Sequence, residues 1–180
     1  MRKVLGIDPG LTRCGVAVVA GKAINKSSLH HTQTIKTAAG VELDERIYLI
    51  GSQIKTLISN FEPTEIALER VFAQANLKSV MGVAQISGVV LFLAREFNLP
   101  IRFFTPTQVK AAVTGDGRAN KDAVSKMTST LLGGGDLFDS ADSADAAAVS
   151  LTAIANPSME SSEPTKAQRA WSQAINQTRK

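Results

Sequence analysis

Cysteine and histidine are nearly absent from this chain of 180 residues, which has one cysteine, Cys14, and two adjacent histidines, His30 and His31. A lone cysteine excludes an intrachain disulfide and any multi-cysteine zinc site, in keeping with a reducing compartment. With only that histidine pair available, a divalent metal site would have to be built from carboxylates. No apolar run approaches the ~20 residues that a membrane-spanning helix needs. Met1-Arg2-Lys3 leads directly into a strand-like segment, without the apolar core or cleavage site of a signal peptide. A cytoplasmic protein with no membrane association is therefore expected. The chain also lacks internal repeats and the charge-rich, apolar-poor composition of disorder: 44% of residues are hydrophobic and 20% charged. Its length suits one compact domain with a real core.

The net charge of +4 is unevenly placed. Residues 1–160 are almost balanced, and most of the excess lies in residues 161–180, with four bases against one acid. Arg102, Lys110, Arg118, Lys121 and Lys126 form a basic stretch, whereas residues 135–150 carry four aspartates and no base. Such segregation suits a polyanion held over an acidic metal pocket, and equally suits solvated helix faces.

Two apolar runs, Lys3–Asp8 and Gly15–Ala20, flank Pro9-Gly10-Leu11-Thr12 and predict an antiparallel hairpin. Ile24–Thr37 predicts a more polar third strand carrying both histidines at the surface. Leu43, Ile47, Ile50, Ile54, Leu57 and Phe61 recur with helical period. Glu65–Glu69 is a short strand with an acid at its end. Asn76–Phe97 is a long helix containing Gly82, Ala84, Ser87 and Gly88, small enough to admit another backbone. Leu99–Thr105 is a strand, Thr105-Pro106 caps a helix running to Val113, and Val124, Met127 and Leu131 mark the next helix. An alanine-rich helix spans Ser140–Asn156 and ends at Pro157. The order predicts a mixed sheet with helices on its faces, from residues 1–157, and a basic, flexible tail at 158–180 that includes Trp171.

Asp8 and Glu69 each end an otherwise apolar strand, where a carboxylate is costly without a partner. An ion pair with Arg13 or Arg70 is the structural explanation. Asp142 and Asp145 are three residues apart and share a helix face, where like charges repel unless a cation or the helix N-terminus compensates. Taken alone, that pair suits two solvated first-turn acids. Asp139 suits a cap.

Several blocks occur in order: Ile7-Asp8-Pro9-Gly10 with Thr12 and Gly15; Ala67-Leu68-Glu69-Arg70-Val71-Phe72 with Asn76 and Ser79; Thr105-Pro106 with Gln108-Val109-Lys110; Val113-Thr114-Gly115 with Gly117-Arg118-Ala119 and Lys121; Leu131-Leu132; and Asp142-Ser143-Ala144-Asp145-Ala146. Together they resemble the RuvC family of crossover junction endodeoxyribonucleases, from Met1 to about residue 156. The resemblance implies an α/β, ribonuclease H-like fold with a mixed five-stranded sheet flanked by helices. It implies a homodimer that resolves four-way (Holliday) DNA junctions by paired nicks in recombination and repair, with a branch-migration helicase complex as partner. It carries the family's catalytic, metal-binding acids onto Asp8, Glu69, Asp142 and Asp145, with two Mg²⁺ per subunit and Mn²⁺ as substitute. Ala147 departs from the leucine more usual in that last block, and nothing after Asn156 matches.

The chemistry agrees with the resemblance. Phosphodiester hydrolysis needs an activated water and charge stabilisation, which two divalent ions roughly 4 Å apart provide, and hard ions take oxygen ligands. Lys110, Arg118 and Lys121 are the expected phosphate contacts. Phe72, three residues beyond Glu69, is expected to stack on or wedge between bases at a junction centre, although residue type alone favours burial. Cys14 is expected to be packed. Asp8-Pro9-Gly10-Leu11-Thr12 also resembles the phosphate loop of actin-like ATPases, but no second Asp-x-Gly loop follows a strand. A DNA-binding scaffold of the same fold, and an RNA-processing nuclease, are further alternatives.

Overall fold

The structure, a computed structural model, describes residues 1–70 and 77–156. Five strands form one sheet: β1 Arg2–Asp8, β2 Arg13–Gly21, β3 Ser27–Lys36, β4 Glu65–Glu69 and β5 Ile101–Phe104. The helices are α1 Leu43–Phe61, α2 Leu77–Glu96, α3 Pro106–Thr114, α4 Lys121–Leu131 and α5 Ala141–Ala155. Strand order is β3-β2-β1-β4-β5, antiparallel from β3 to β1 and parallel from β1 through β4 to β5. This is the mixed five-stranded sheet expected. The third strand starts later than its sequence suggested, because Ile24–Lys26 form a 3₁₀ turn before it. No helix among the described residues is long and apolar enough to cross a membrane.

The period-2 pleat sorts side chains onto two cores. Leu5, Ile7, Val16, Val18 and the buried Cys14 meet α1 and α2 on one face. Val4, Ala17, Val19 and Ala67 meet α5, with α3 and α4 beyond it, on the other. One expectation fails here: His31 is half-buried rather than at the surface, its ring 5.1 Å from that of Phe61.

α5 lies unusually close to the sheet, and glycine makes this possible. A Cβ on Gly6 would come within 2.2 Å of the Ala146 carbonyl oxygen, and one on Gly15 within 1.9 Å of the Asp142 carbonyl oxygen. Ala146, Ala147 and Ala148 are fully buried on the facing helix, so small side chains fill this layer of the core. Ser150 Oγ adds a buried hydrogen bond to the Ala17 carbonyl. At its start, Ser140 caps α5 by accepting from Ser143 N–H. Asp139 is not that cap. It accepts instead from the Thr34 amide and hydroxyl, each at 3.2 Å, tying the approach to α5 onto β3.

The other end of α5 is held by charge. Glu65, buried at the start of β4, pairs with both Arg2 and Arg102. Arg102 also donates to the Ala153 and Asn156 carbonyls and Arg2 to that of Ile154, so the last carbonyls of α5 are satisfied by guanidinium groups.

Candidate active site

β1 and β4 run parallel with Ile7 opposite Leu68, which brings Asp8 and Glu69 side by side where both strands end. Ligands of open α/β sheets collect at such carboxyl ends. Pleat parity points Asp8 with Val4 and Gly6, and Glu69 with Ala67, to the face that carries α5. The first turns of α5 bring Asp145 to the same place. A pocket of about 320 Å³ results, lined by Asp8, Glu69, Asp145, Lys110, Lys121, Pro106, Val109 and Val124. The lysines come from α3, whose start is fixed by a Thr105–Gln108 capping box, and from the first residue of α4, capped by Asn120.

The pocket's electrostatics are those of crowded acids. Burial, followed by the charges of Glu69 and Asp145, pushes Asp8 up to about 8 from its ordinary 3.8. Asp8 and Glu69 share a side-chain hydrogen bond. Because two carboxylates can only accept, that bond requires a proton shared by the pair. Glu69 is raised by burial and by Asp145, against the opposing pull of Asp8's hydrogen bond, Lys121 and Lys110. Asp145 is raised by burial and pulled back by Lys121, which pairs with it at 3.3 Å. Lys121 is raised in turn, chiefly by Asp145.

Asp142 stands apart. Its carboxylate accepts from Arg13 Nε at 2.5 Å, and it contributes least of the neighbouring acids to the shift of Asp8. Arg13 therefore pairs with Asp142 rather than with Asp8. Arg70 pairs with neither strand-end acid among the described residues; its guanidinium lies 5.0 Å from the Phe103 ring centre. Arg118 is exposed on the loop between α3 and α4, outside the pocket. Phe72 lies outside the described residues.

The donors fit a hard divalent cation in kind, being all oxygen, and in charge, since burial and mutual repulsion raise Asp8, Glu69 and Asp145 together. Among the described residues no three such side chains already stand as a metal cage. The two acids of α5 are held by bases instead, Asp142 by Arg13 and Asp145 by Lys121. Sequence reasoning missed Arg13 as a partner of Asp142, and Val109 and Val124 as the apolar wall. Their helical period was a signal for the wall, whereas nothing local announced a pairing across 129 positions.

Residues 4–153 match the family model described as crossover junction endodeoxyribonuclease RuvC. A crossover junction endodeoxyribonuclease RuvC of Pseudarthrobacter chlorophenolicus is 41% identical over 181 residues, covering 96% of this chain and 94% of its own. That of Clavibacter michiganensis is 46% identical over 151 residues, covering 84% and 75%. A solved structure of T. thermophilus RuvC in complex with Holliday junction substrate superposes with a TM-score of 0.80 at 34% identity, covering 84% of this chain and 92% of that one. The yeast mitochondrial Holliday junction resolvase Ydc2 shares the fold, with a TM-score of 0.60 at 16% identity.

Proposed function

This chain belongs to the RuvC family of crossover junction endodeoxyribonucleases, and from that premise we propose how its residues carry the activity. It is an endonuclease that hydrolyses phosphodiester bonds in four-way DNA junctions, serving recombination and repair. The observation that carries the reading is the pocket in which Asp8, Glu69 and Asp145 converge at the strand ends under Lys110 and Lys121.

Catalysis depends on divalent metal, with two Mg²⁺ per subunit or Mn²⁺ in their place. Asp8, Glu69 and Asp145 would hold the metal, joined by Asp142. Bound there, it supplies Lewis acidity toward the phosphate and activates water. Lys110 and Lys121 take the phosphate flanks of the scissile bond, and Lys121 is released from Asp145 as it does so. Val109 and Val124 give the pocket a dry wall that strengthens these charges. Arg118 tracks the backbone from its exposed loop, and Phe72 meets the bases at the junction centre.

The functional unit is a homodimer, since a junction of two-fold symmetry needs two opposed nicks. Its interface is α2, where Met81, Ala84, Gly88, Leu91 and Phe92 form a stripe that the other described residues leave exposed; Phe92 is 68% exposed. Residues 1–157 are the nuclease unit, and 158–180 add non-specific affinity. A branch-migration helicase complex completes the assembly in the cytoplasm.

Incubation with a synthetic four-way junction and Mg²⁺ tests this reading, with linear duplex as control. Symmetric paired nicks confined to the junction are expected, and none in EDTA. Equal cutting of duplex, or cutting without divalent metal, would overturn it.

A further inference from the structure

A second groove, of about 440 Å³, adjoins the active site without sharing a lining residue with the carboxylate pocket. Its floor is the β1–β2 turn, Gly10 to Arg13, which begins two residues after Asp8. Arg46 of α1 and Gly82 of α2 close its sides. The turn reaches α2 because Gly82 is glycine: a Cβ there would lie 3.0 Å from that of Leu11. Among the described residues, none that lines the groove is acidic.

Two guanidinium groups face it, and both are braced. Arg46 donates through Nε to Thr37 Oγ1 and through Nη2 to Thr12 Oγ1, each at 2.9 Å, which leaves Nη1 without a partner among the described residues. Arg13 spends only Nε on Asp142, so both of its terminal amino groups are free among the described residues. Thr12 accepts from Arg46, and its hydroxyl proton remains available. The result is a cluster of charged donors held open by neutral acceptors, with one carboxylate at its margin. Guanidinium forks match the oxygens of a phosphate in a way that point charges do not.

We propose that this groove is a phosphodiester subsite, in which Arg13 and Arg46 grip a backbone phosphate of the junction strand beyond the one that is cut. The inference rests on the nuclease reading and extends it: the strand is held on both sides of the carboxylates, by Lys110 and Lys121 on one and by the two arginines on the other. It also couples binding to chemistry. Because the grip uses the terminal amino groups, Arg13 holds the phosphate while its Nε still positions Asp142 beside the pocket.

The test is junction binding in EDTA, followed by fluorescence anisotropy across a NaCl series, so that no readout depends on cleavage. The slope of log K against log salt should fall by about one unit in the Arg13→Gln/Arg46→Gln double variant, as expected for one phosphate lost. Arg13→Lys/Arg46→Lys should retain that slope. Lys22→Gln, at the opposite end of β2, should not change it. A wild-type slope in the glutamine variant, alongside a reduced slope in Lys110→Gln, would overturn the subsite and leave the nuclease reading standing. A wild-type protein that binds duplex as tightly as junction would overturn the reading beneath it. Because Arg46 braces Thr12 and Thr37, the double variant could lose its fold. Arg13→Gln alone then decides, its reduced slope supporting the subsite and an unchanged slope overturning it.

Discussion

The proton held between Asp8 and Glu69 makes the metal-free protein sensitive to pH. The folded value for Asp8, about 8, lies above its ordinary 3.8, so the native state keeps a proton that the unfolded chain has already released. Raising pH through that interval therefore favours unfolding, and the raised Glu69 and Asp145 act in the same direction. In EDTA, Tm should fall between pH 5 and pH 8, and Mg²⁺ should flatten the decline. Asp8→Asn should raise the Tm of the metal-free protein, more at pH 8 than at pH 5, while lowering cleavage at least about 100-fold with junction binding in EDTA retained. A lower Tm for Asp8→Asn at pH 8 would make Asp8 a structural anchor instead. These acids were legible because their signals are local: a charge ending an apolar strand, and a three-residue spacing on a helix. The engagement of Asp142 by Arg13, and the groove Arg13 shares with Arg46, were not, since tertiary folding alone brings those positions together.

Among the elements, α5 matters most to the site, because its seating sets where Asp142 and Asp145 stand. Gly15→Ala would drive a methyl group into the Asp142 carbonyl, 1.9 Å away. Overpacking of this kind costs roughly 1 to 3 kcal/mol, so a Tm loss of about 2 to 12 °C is expected by calorimetry, with cleavage reduced as the helix shifts. An unchanged Tm would show that the strand yields without disturbing α5. Periodicity revealed the helices well, down to the Thr105 cap and the proline that opens α3. It located the third strand less well, since a polar edge strand and the 3₁₀ turn before it have similar compositions. Glu65 drew no reading from the sequence, and the approach of Arg2 and Arg102 from distant positions accommodates its burial.

At the scale of the whole molecule, one glycine separates assembly from folding. A Cβ on Gly88 meets nothing within 4 Å among the described residues, so Gly88→Leu should keep the wild-type circular dichroism spectrum while converting the proposed dimer to monomer in light scattering. A stable dimer of that variant would move the interface off α2. The small-residue helix was visible in the sequence, but which face it left uncovered depended on how α1 and the sheet took the other. Removing residues 158–180 should leave Tm and cleavage intact and lower affinity for duplex; a large fall in Tm would place the boundary further on.

The two ends of α5 also set a direction. Its first turns meet the ends of β1 and β4 beside Asp8 and Glu69, and its last carbonyls accept from Arg2 and Arg102, both held by Glu65 at the opposite end of the sheet. A 15-residue helix is about 22 Å long and a seven-residue strand roughly 20 Å, so Asn156 lies a full sheet-length from the pocket carboxylates. A tether placed at Asn156 should therefore leave the carboxylate pocket facing the surrounding liquid, whereas coupling through Lys110 or Lys121 should press that pocket against the support. The first format suits single-molecule observation of junction cutting, and the second should bind almost none.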